Sequence, residues 1–269
     1  MKRSILITGS TDGIGFATAE MFVTQGHDVL LHGRSAEKLE AAQNMLSAKL
    51  CGGQLEVFQA DLSNLDNVER LADEVRSRQS TLDVLVNNAG VFHTPSTSTP
   101  DGYDIRFMVN TFAPYLLTQK LLQSMSPDGR VVNLSSAAQS PVNIQALLGK
   151  ESIAEDFTAY AQSKLALTMW SRHLASRLDA NNPAVIAVNP GSMLGSKMVK
   201  DAFGVAGGDL GIGADVLVRA SLSEEFDGAN GLYFDNDSRQ FASPHPDALN
   251  EGKTLEVVQA INSILTGRI

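Results

Sequence analysis

The run Ile5-Leu6-Ile7-Thr8-Gly9-Ser10-Thr11-Asp12-Gly13-Ile14-Gly15 decides the fold. Three consecutive apolar residues read as a short buried strand, and the glycines after them let the backbone turn tightly into a helix predicted over about 14–26. Such a turn offers free N–H groups and the positive end of a helix to a pyrophosphate. The spacing is G-x-x-x-G-x-G, not the G-x-G-x-x-G of the general dinucleotide fingerprint, so these residues alone leave an ordinary strand-to-helix turn as the competing reading.

Downstream of this run, short β-branched stretches alternate with longer amphipathic ones. Strands are predicted near 5–7, 29–32, 55–59, 84–87, 131–134, 185–189 and 232–234. Helical patterns fall near 14–26, 35–49, 64–79, 102–124, 158–179, 209–222 and 246–265. This alternation predicts a doubly wound α/β domain, a parallel sheet with helices on both faces, over 1–269 without an interdomain linker. In such sheets ligands bind beyond the carboxyl ends of the strands.

Those strand ends carry the next candidates. The second strand ends in His32-Gly33-Arg34-Ser35. An acidic residue there would accept from a free ribose 2′-hydroxyl, whereas Arg34 with the hydroxyl of Ser35 suits a 2′-phosphate, so NADP is expected over NAD. Asp12 in the glycine turn weighs mildly the other way. Asp61-Leu62 after the third strand can take the adenine, with a helix-capping role for Asp61 as the alternative. Asn88, Ala89 and Gly90 after the fourth are small residues where backbone must pass close to a cofactor.

The chemistry is expected at Ser136, Tyr160 and Lys164. Positions i and i+4 share a helix face, so the ammonium of Lys164 can lie beside the phenol of Tyr160 and lower its pKa from about 10 toward the working pH. Ser136, directly after the fifth strand, can hydrogen-bond a substrate oxygen. As a nucleophile it is poorly placed, because Asn133-Leu134-Ser135-Ser136-Ala137 lacks the glycines of G-x-S-x-G.

Composition narrows the partners. A formal net charge of -9 without a basic stripe disfavours nucleic acid and anionic membranes, which leaves a small molecule. The single cysteine, Cys51, excludes an internal disulfide. His93 and His173 lack metal-ligand spacing, and no metal is expected. Thr8-Gly9 breaks the first apolar run, so neither a signal peptide nor a membrane span is read there, and a cytoplasmic location is expected.

In this order, Thr8 to Gly15, Asn87-Asn88-Ala89-Gly90, Asn110, Ser136, Tyr160-Ala161-Gln162-Ser163-Lys164 and Pro190-Gly191 resemble the short-chain dehydrogenase/reductases along essentially the whole chain. The resemblance implies one Rossmann-like domain with a seven-stranded parallel sheet, an NAD(P) cofactor and an Asn110-Ser136-Tyr160-Lys164 catalytic set. Tyr160 would exchange a proton with a carbonyl oxygen, Lys164 would lower the tyrosine pKa and hold the nicotinamide ribose, Ser136 would polarise the carbonyl, and Asn110 would anchor a water. Gly9, Ser10, Thr11, Gly13, Ile14, Gly15, Arg34, Ser35, Asp61, Leu62, Asn88, Ala89, Gly90, Tyr160, Lys164, Pro190, Gly191 and Met193 would line the cofactor.

Two departures stand out. The stretch 139–157 between Ser136 and Tyr160 is long, which is similar to the retinol-dehydrogenase-like and protochlorophyllide-reductase-like branch, and an insertion there would cover the substrate. Gly195 stands where a threonine often contacts the carboxamide, with Ser196 as the substitute. Val91, Phe92, Ile144, Leu147, Leu148, Met193 and Phe203 fall in segments flanking the nicotinamide and point to an apolar carbonyl or alcohol, core packing being the competing role for each. A cofactor-sensing protein without turnover and a serine hydrolase using Ser136 are the rival functions. The resemblance allows a dimer or tetramer through the helices near 102–124 and 158–179, and the branch allows a monomer.

Overall fold

Successive residues of β1 (Ser4–Ile7) point to opposite faces, and both faces are apolar: Ile5 and Ile7 enter one buried cluster, Leu6 the other. A parallel strand covered on both sides requires this. The computed structural model describes residues 1–179 and 181–269, the side chains of residues 202 and 203 excepted. After β1 come α1 (Gly13–Thr24), β2 (Asp28–Gly33), α2 (Ala36–Ser47), β3 (Leu55–Gln59), α3 (Leu65–Arg78) and β4 (Leu82–Asn87). Then α4 (Ile105–Phe107) leads through a π-helical turn (Met108–Phe112) into α5 (Ala113–Leu121), followed by β5 (Met125–Leu134), α6 (Ile144–Leu147) and α7 (Asp156–Ala175). The chain ends with β6 (Ala184–Asn189), α8 (Lys197–Phe203), α9 (Leu210–Leu222), β7 (Tyr233–Asp235), β8 (Gln240–Ala242) and α10 (Glu251–Ile264).

The sheet order is β3-β2-β1-β4-β5-β6-β7-β8, so the direction of winding reverses between β1 and β4. That reversal opens the crevice in which doubly wound folds bind nucleotides. Among the described residues the sheet has eight strands, not seven: β8 adds antiparallel to β7, with Tyr233 opposite Ala242 and Phe234 opposite Phe241. Gln240-Phe241-Ala242 is too short and too poor in β-branched residues to be read as a strand, and pairing with β7 supplies the order its own sequence lacks.

Helices α1, α2 and α9 cover one face and α3, α5, α7 and α10 the other. The C-terminal α10 packs along α7, and Tyr115 of α5 donates to Asn262 at 3.0 Å. This flank of α5 and α7, the expected assembly surface, is therefore partly covered by the chain's own last helix. Trp170, the single tryptophan, is fully buried on α7 and meets Tyr115 edge-on at 5.2 Å. The segment 139–157 holds α6, whose Leu147 is fully buried in the core and sits on the α10 side, with Ile144 and Leu148 packed around it. Leu147 is thus a core residue and not a substrate-facing one; α10, more than 100 positions downstream, draws it inward. Among the described residues no helix is long and apolar enough to cross a membrane.

Candidate active site

The glycine turn is built by hydrogen bonds to its neighbours. Gly9 N–H donates to His32 Nδ1 at 3.1 Å, and Ser10 N–H to the His32 carbonyl at 2.9 Å. Burial holds His32 at about 4, so the ring is neutral and its Nδ1 accepts from Gly9. The Asn88 amide donates to the carbonyls of Thr8 and Gly9 at 2.9 and 3.0 Å, and Ala89 N–H donates to Thr8 Oγ1 at 3.0 Å. Asp12 caps α1 by accepting from Gly13 N–H at 2.7 Å. Its carboxylate already serves the turn, which is the reason an acidic residue stands there.

At the adenosine end Arg34 is exposed, and among the described residues its guanidinium has no ion-pair partner; its carbonyl accepts from Gln59 at 3.1 Å. Ser35 caps α2, and Lys38 stands one turn into that helix. Asp61 accepts from the N–H and hydroxyl of Ser63 at 2.9 and 2.8 Å, while Asn64 is the residue that caps α3. Leu62 is buried beside it.

On the other side of the crevice, Ser136 lies two residues past the end of β5 and α7 supplies Tyr160 and Lys164. Burial pushes the half-buried Tyr160 phenol above its ordinary value, and a hydrogen bond with Ser136 draws it part of the way back. Lys164 Nζ lies 5.6 Å from the Tyr160 ring centroid and donates to the Leu134 carbonyl at 2.7 Å. The direction at Tyr160 is thus set by burial and opposed by Ser136, while the Lys164 ammonium is turned to the Leu134 carbonyl. Burial also brings Lys164 itself down to about 8. The lysine is therefore a cation that begins to lose its charge just above neutrality. For capture of the cofactor by the free enzyme, kcat/KM for NADPH is expected to fall above an apparent pKa near 8, measured from pH 6.5 to 9.5. A flat profile across that range contradicts the assignment.

Asn110 sits in the π-helical turn, the kind of irregularity found at functional sites. Its amide donates to Val91 O and Ser163 Oγ, both at 2.9 Å, and its carbonyl accepts from Val91 N–H at 2.8 Å. Asn110 thus ties the loop after β4 to α7. Gly90 lies over this junction: a Cβ there would be 3.4 Å from Asn110 Oδ1, 3.5 Å from Lys164 Nζ and 3.9 Å from Met198 Cε. Helix α8 consequently lies across the crevice beside Lys164. Ser196 caps α8 and stands 3.8 Å from the Cβ position of Gly13, so the expected substitute for the missing threonine does face the glycine turn.

After β6, Pro190 is buried, Gly191 adopts φ +120 and Met193, exposed, is held at φ 54 by Gly208 N–H donating to its carbonyl at 2.8 Å. A non-glycine residue in that region is strained, as is common at ligand-binding loops. Phe92 packs on Tyr160 at 5.1 Å and meets Phe157 at 6.4 Å, giving the Tyr160 phenol an apolar wall. The side chain of Phe203 lies outside the described residues. Sequence reasoning missed Arg106, fully buried between Asp104, at 2.6 Å, and Asp156, which also meets His93 Nδ1 at 2.6 Å. This cluster pins the start of α7 to the loop preceding α4. Arg106 falls inside the helical pattern predicted near 102–124, and its carboxylate partner Asp156 is 50 positions away, so spacing gave no sign of the pair.

The reversal of winding, the glycine turn beneath it and the gathering of Ser136, Tyr160 and Lys164 at the carboxyl edge define an oxidoreductase of the dinucleotide-fold class. Residues 3–204 match the family model described as short chain dehydrogenase, and the chain belongs to that family. It is 36% identical over 203 residues to retinol dehydrogenase 14 of Mus musculus, over 70% of this chain and 60% of that protein, so that match spans less than two thirds of the relative. It is 31% identical over 254 residues to retinol dehydrogenase 12 of Mus musculus, over 90% and 80%. A short chain dehydrogenase from Burkholderia cenocepacia J2315, solved in complex with NADP, superposes with a TM-score of 0.69 at 27% identity, over 87% of this chain and 95% of that one.

Proposed function

We propose that this protein is an NADP-dependent oxidoreductase that interconverts a carbonyl and an alcohol on a small apolar substrate. The observation that carries the reading is the convergence of Ser136, Tyr160 and Lys164 on the crevice whose adenosine end offers the exposed Arg34 guanidinium. The residues present fit the cofactor: a Cβ on Gly13 would meet only Ser196, at 3.8 Å, so the turn can lie against a pyrophosphate. The NADP complex of the Burkholderia relative supports the same choice.

Gly9, Ser10, Thr11, Gly13, Ile14 and Gly15 would hold the pyrophosphate, and Arg34 and Ser35 the 2′-phosphate. Asp61 and Leu62 would bound the adenine, Asn88, Ala89 and Gly90 the central ribose region, and Pro190, Gly191 and Met193 the carboxamide. When bound, the nicotinamide supplies or accepts the hydride. Tyr160 Oη would give the proton to the carbonyl oxygen in reduction or remove it in oxidation. The Ser136 hydroxyl would fix that oxygen, and the Lys164 ammonium would stabilise negative charge developing on Tyr160. Phe92 and Phe157 would exclude water and favour apolar substrates.

Steady-state rates with NADPH and NADH on a panel of apolar ketones and aldehydes test this directly. NADPH is expected to be preferred, and Arg34→Glu should lower kcat/KM for NADPH by at least about tenfold, since a cation facing a phosphate becomes an anion. An NADH preference unaltered by that change would refute the cofactor assignment.

A further inference from the structure

The family match ends at residue 204, yet the short segment from Tyr233 to Asp237 reaches both sides of the site. Tyr233 Oη donates to the Ser136 carbonyl at 3.2 Å, and Gln139 Nε2 donates to the same oxygen at 2.9 Å. Gln139 is itself held by His245 N–H at 3.2 Å. Two donors on one carbonyl fix the peptide plane from which the Ser136 side chain projects. Burial, then the carboxylates of Asp235 and Asp237, push the Tyr233 phenol upward, so it keeps the proton it donates.

Three residues along, the same segment grips the loop after β6. The Asn189 amide donates to Asp235 at 2.7 Å and to Asp237 at 2.9 Å. The buried Asn236 amide donates to the Pro190 carbonyl at 2.9 Å, and its N–H to the Asn189 carbonyl at 3.1 Å. Asp237 accepts from the Ser192 N–H at 2.7 Å and from the Ser192 hydroxyl at 2.6 Å. Asn189, Pro190 and Ser192 are thereby tied to one stretch of chain, whose own place is set by β7 pairing with β6.

Resting on the oxidoreductase reading above, we propose that Tyr233, Asn236 and Asp237 are positioning residues that set the carbonyl-orienting serine and the nicotinamide loop in register with each other. The side chains of Tyr233 and Asp237 need touch neither substrate nor cofactor. Tyr233 acts through Ser136 on the chemical step, and Asp237 acts through Ser192 on cofactor seating. Displacements well under the size of an atom at such supports carry large kinetic costs.

The two arms make separable predictions. Tyr233→Phe should lower kcat by about tenfold and leave the Kd for NADPH, measured by titration calorimetry, unchanged. Asp237→Asn should raise that Kd by about tenfold, with a smaller effect on kcat at saturating cofactor. Ser192→Ala, an exposed change that removes one bond to Asp237, should move the Kd in the same direction and guards against misfolding of the other variants. All three should melt within about 3 °C of the parent. Variants that match the parent in both kcat and Kd overturn the clamp, as do variants whose losses in kcat and Kd merely follow a fall in melting temperature. A parent protein that neither binds NADPH nor reduces any carbonyl removes the functional reading, and the clamp with it; an active parent with indifferent variants removes the clamp alone.

Discussion

Replacing Tyr160 by Phe is expected to lower carbonyl reduction by about 10³-fold while changing the Kd for NADPH by no more than about twofold. The substitution deletes one oxygen atom and preserves the ring. The contact with Phe92 at 5.1 Å and the Lys164 ammonium 5.6 Å from the ring centroid therefore stay in place, and the surroundings of the crevice are unchanged. What disappears is the proton that must reach the substrate oxygen as its carbon is reduced, together with the partner that Ser136 hydrogen-bonds. Rates measured with NADPH and an apolar ketone at saturating concentrations check this. Turnover within tenfold of the parent would show that another group carries the proton.

A methyl group added to Gly15 should be nearly as damaging, through a different route. The Cβ of an alanine there would stand 2.3 Å from the Asn88 amide and 2.3 Å from the Gly9 carbonyl oxygen. Neither can retreat cheaply: the carbonyl belongs to the turn itself, and the amide donates to the carbonyls of Thr8 and Gly9. Relief requires separating the start of α1 from the end of β4, which opens the anion-binding turn. Gly15→Ala is expected to cost about 3 kcal/mol of stability, a fall in melting temperature of roughly 6–12 °C, and to weaken NADPH binding on the order of 100-fold. A variant with unaltered melting temperature and cofactor affinity would contradict the close approach of these three segments.

Both substitutions fall on residues that the bare sequence already singled out, and the reason is physical. Gly15 and Tyr160 lie in local patterns: a strand running into a glycine turn, and an i,i+4 pair on a helix. The parallel strands were legible for the same reason, since runs such as Leu55–Gln59 and Ala184–Asn189 are dense in residues suited to a buried sheet. What escaped reading depends on partners distant in sequence. Nothing in the spacing around Arg106 announces Asp156, 50 positions away, and the choice between substrate contact and core packing left open for Leu147 falls to the core because α10 packs against α6. The upward shift at Tyr160 is of this kind too, because desolvation belongs to the assembled crevice and not to the spacing of two residues. The run Asp235-Asn236-Asp237 after a short strand was the one visible trace of the C-terminal clamp, as side chains of this type bind nearby backbone groups.

The burial of Trp170 on α7 has a practical consequence. It is the only indole in the chain, and it shares a helix with Tyr160 and Lys164, within two to three turns of both. Excitation at the red edge of the protein absorption band therefore yields emission from this one helix, blue-shifted by its apolar surroundings. Loosening of this helix by denaturant, ligand or mutation can be followed as a red shift, without any attached label.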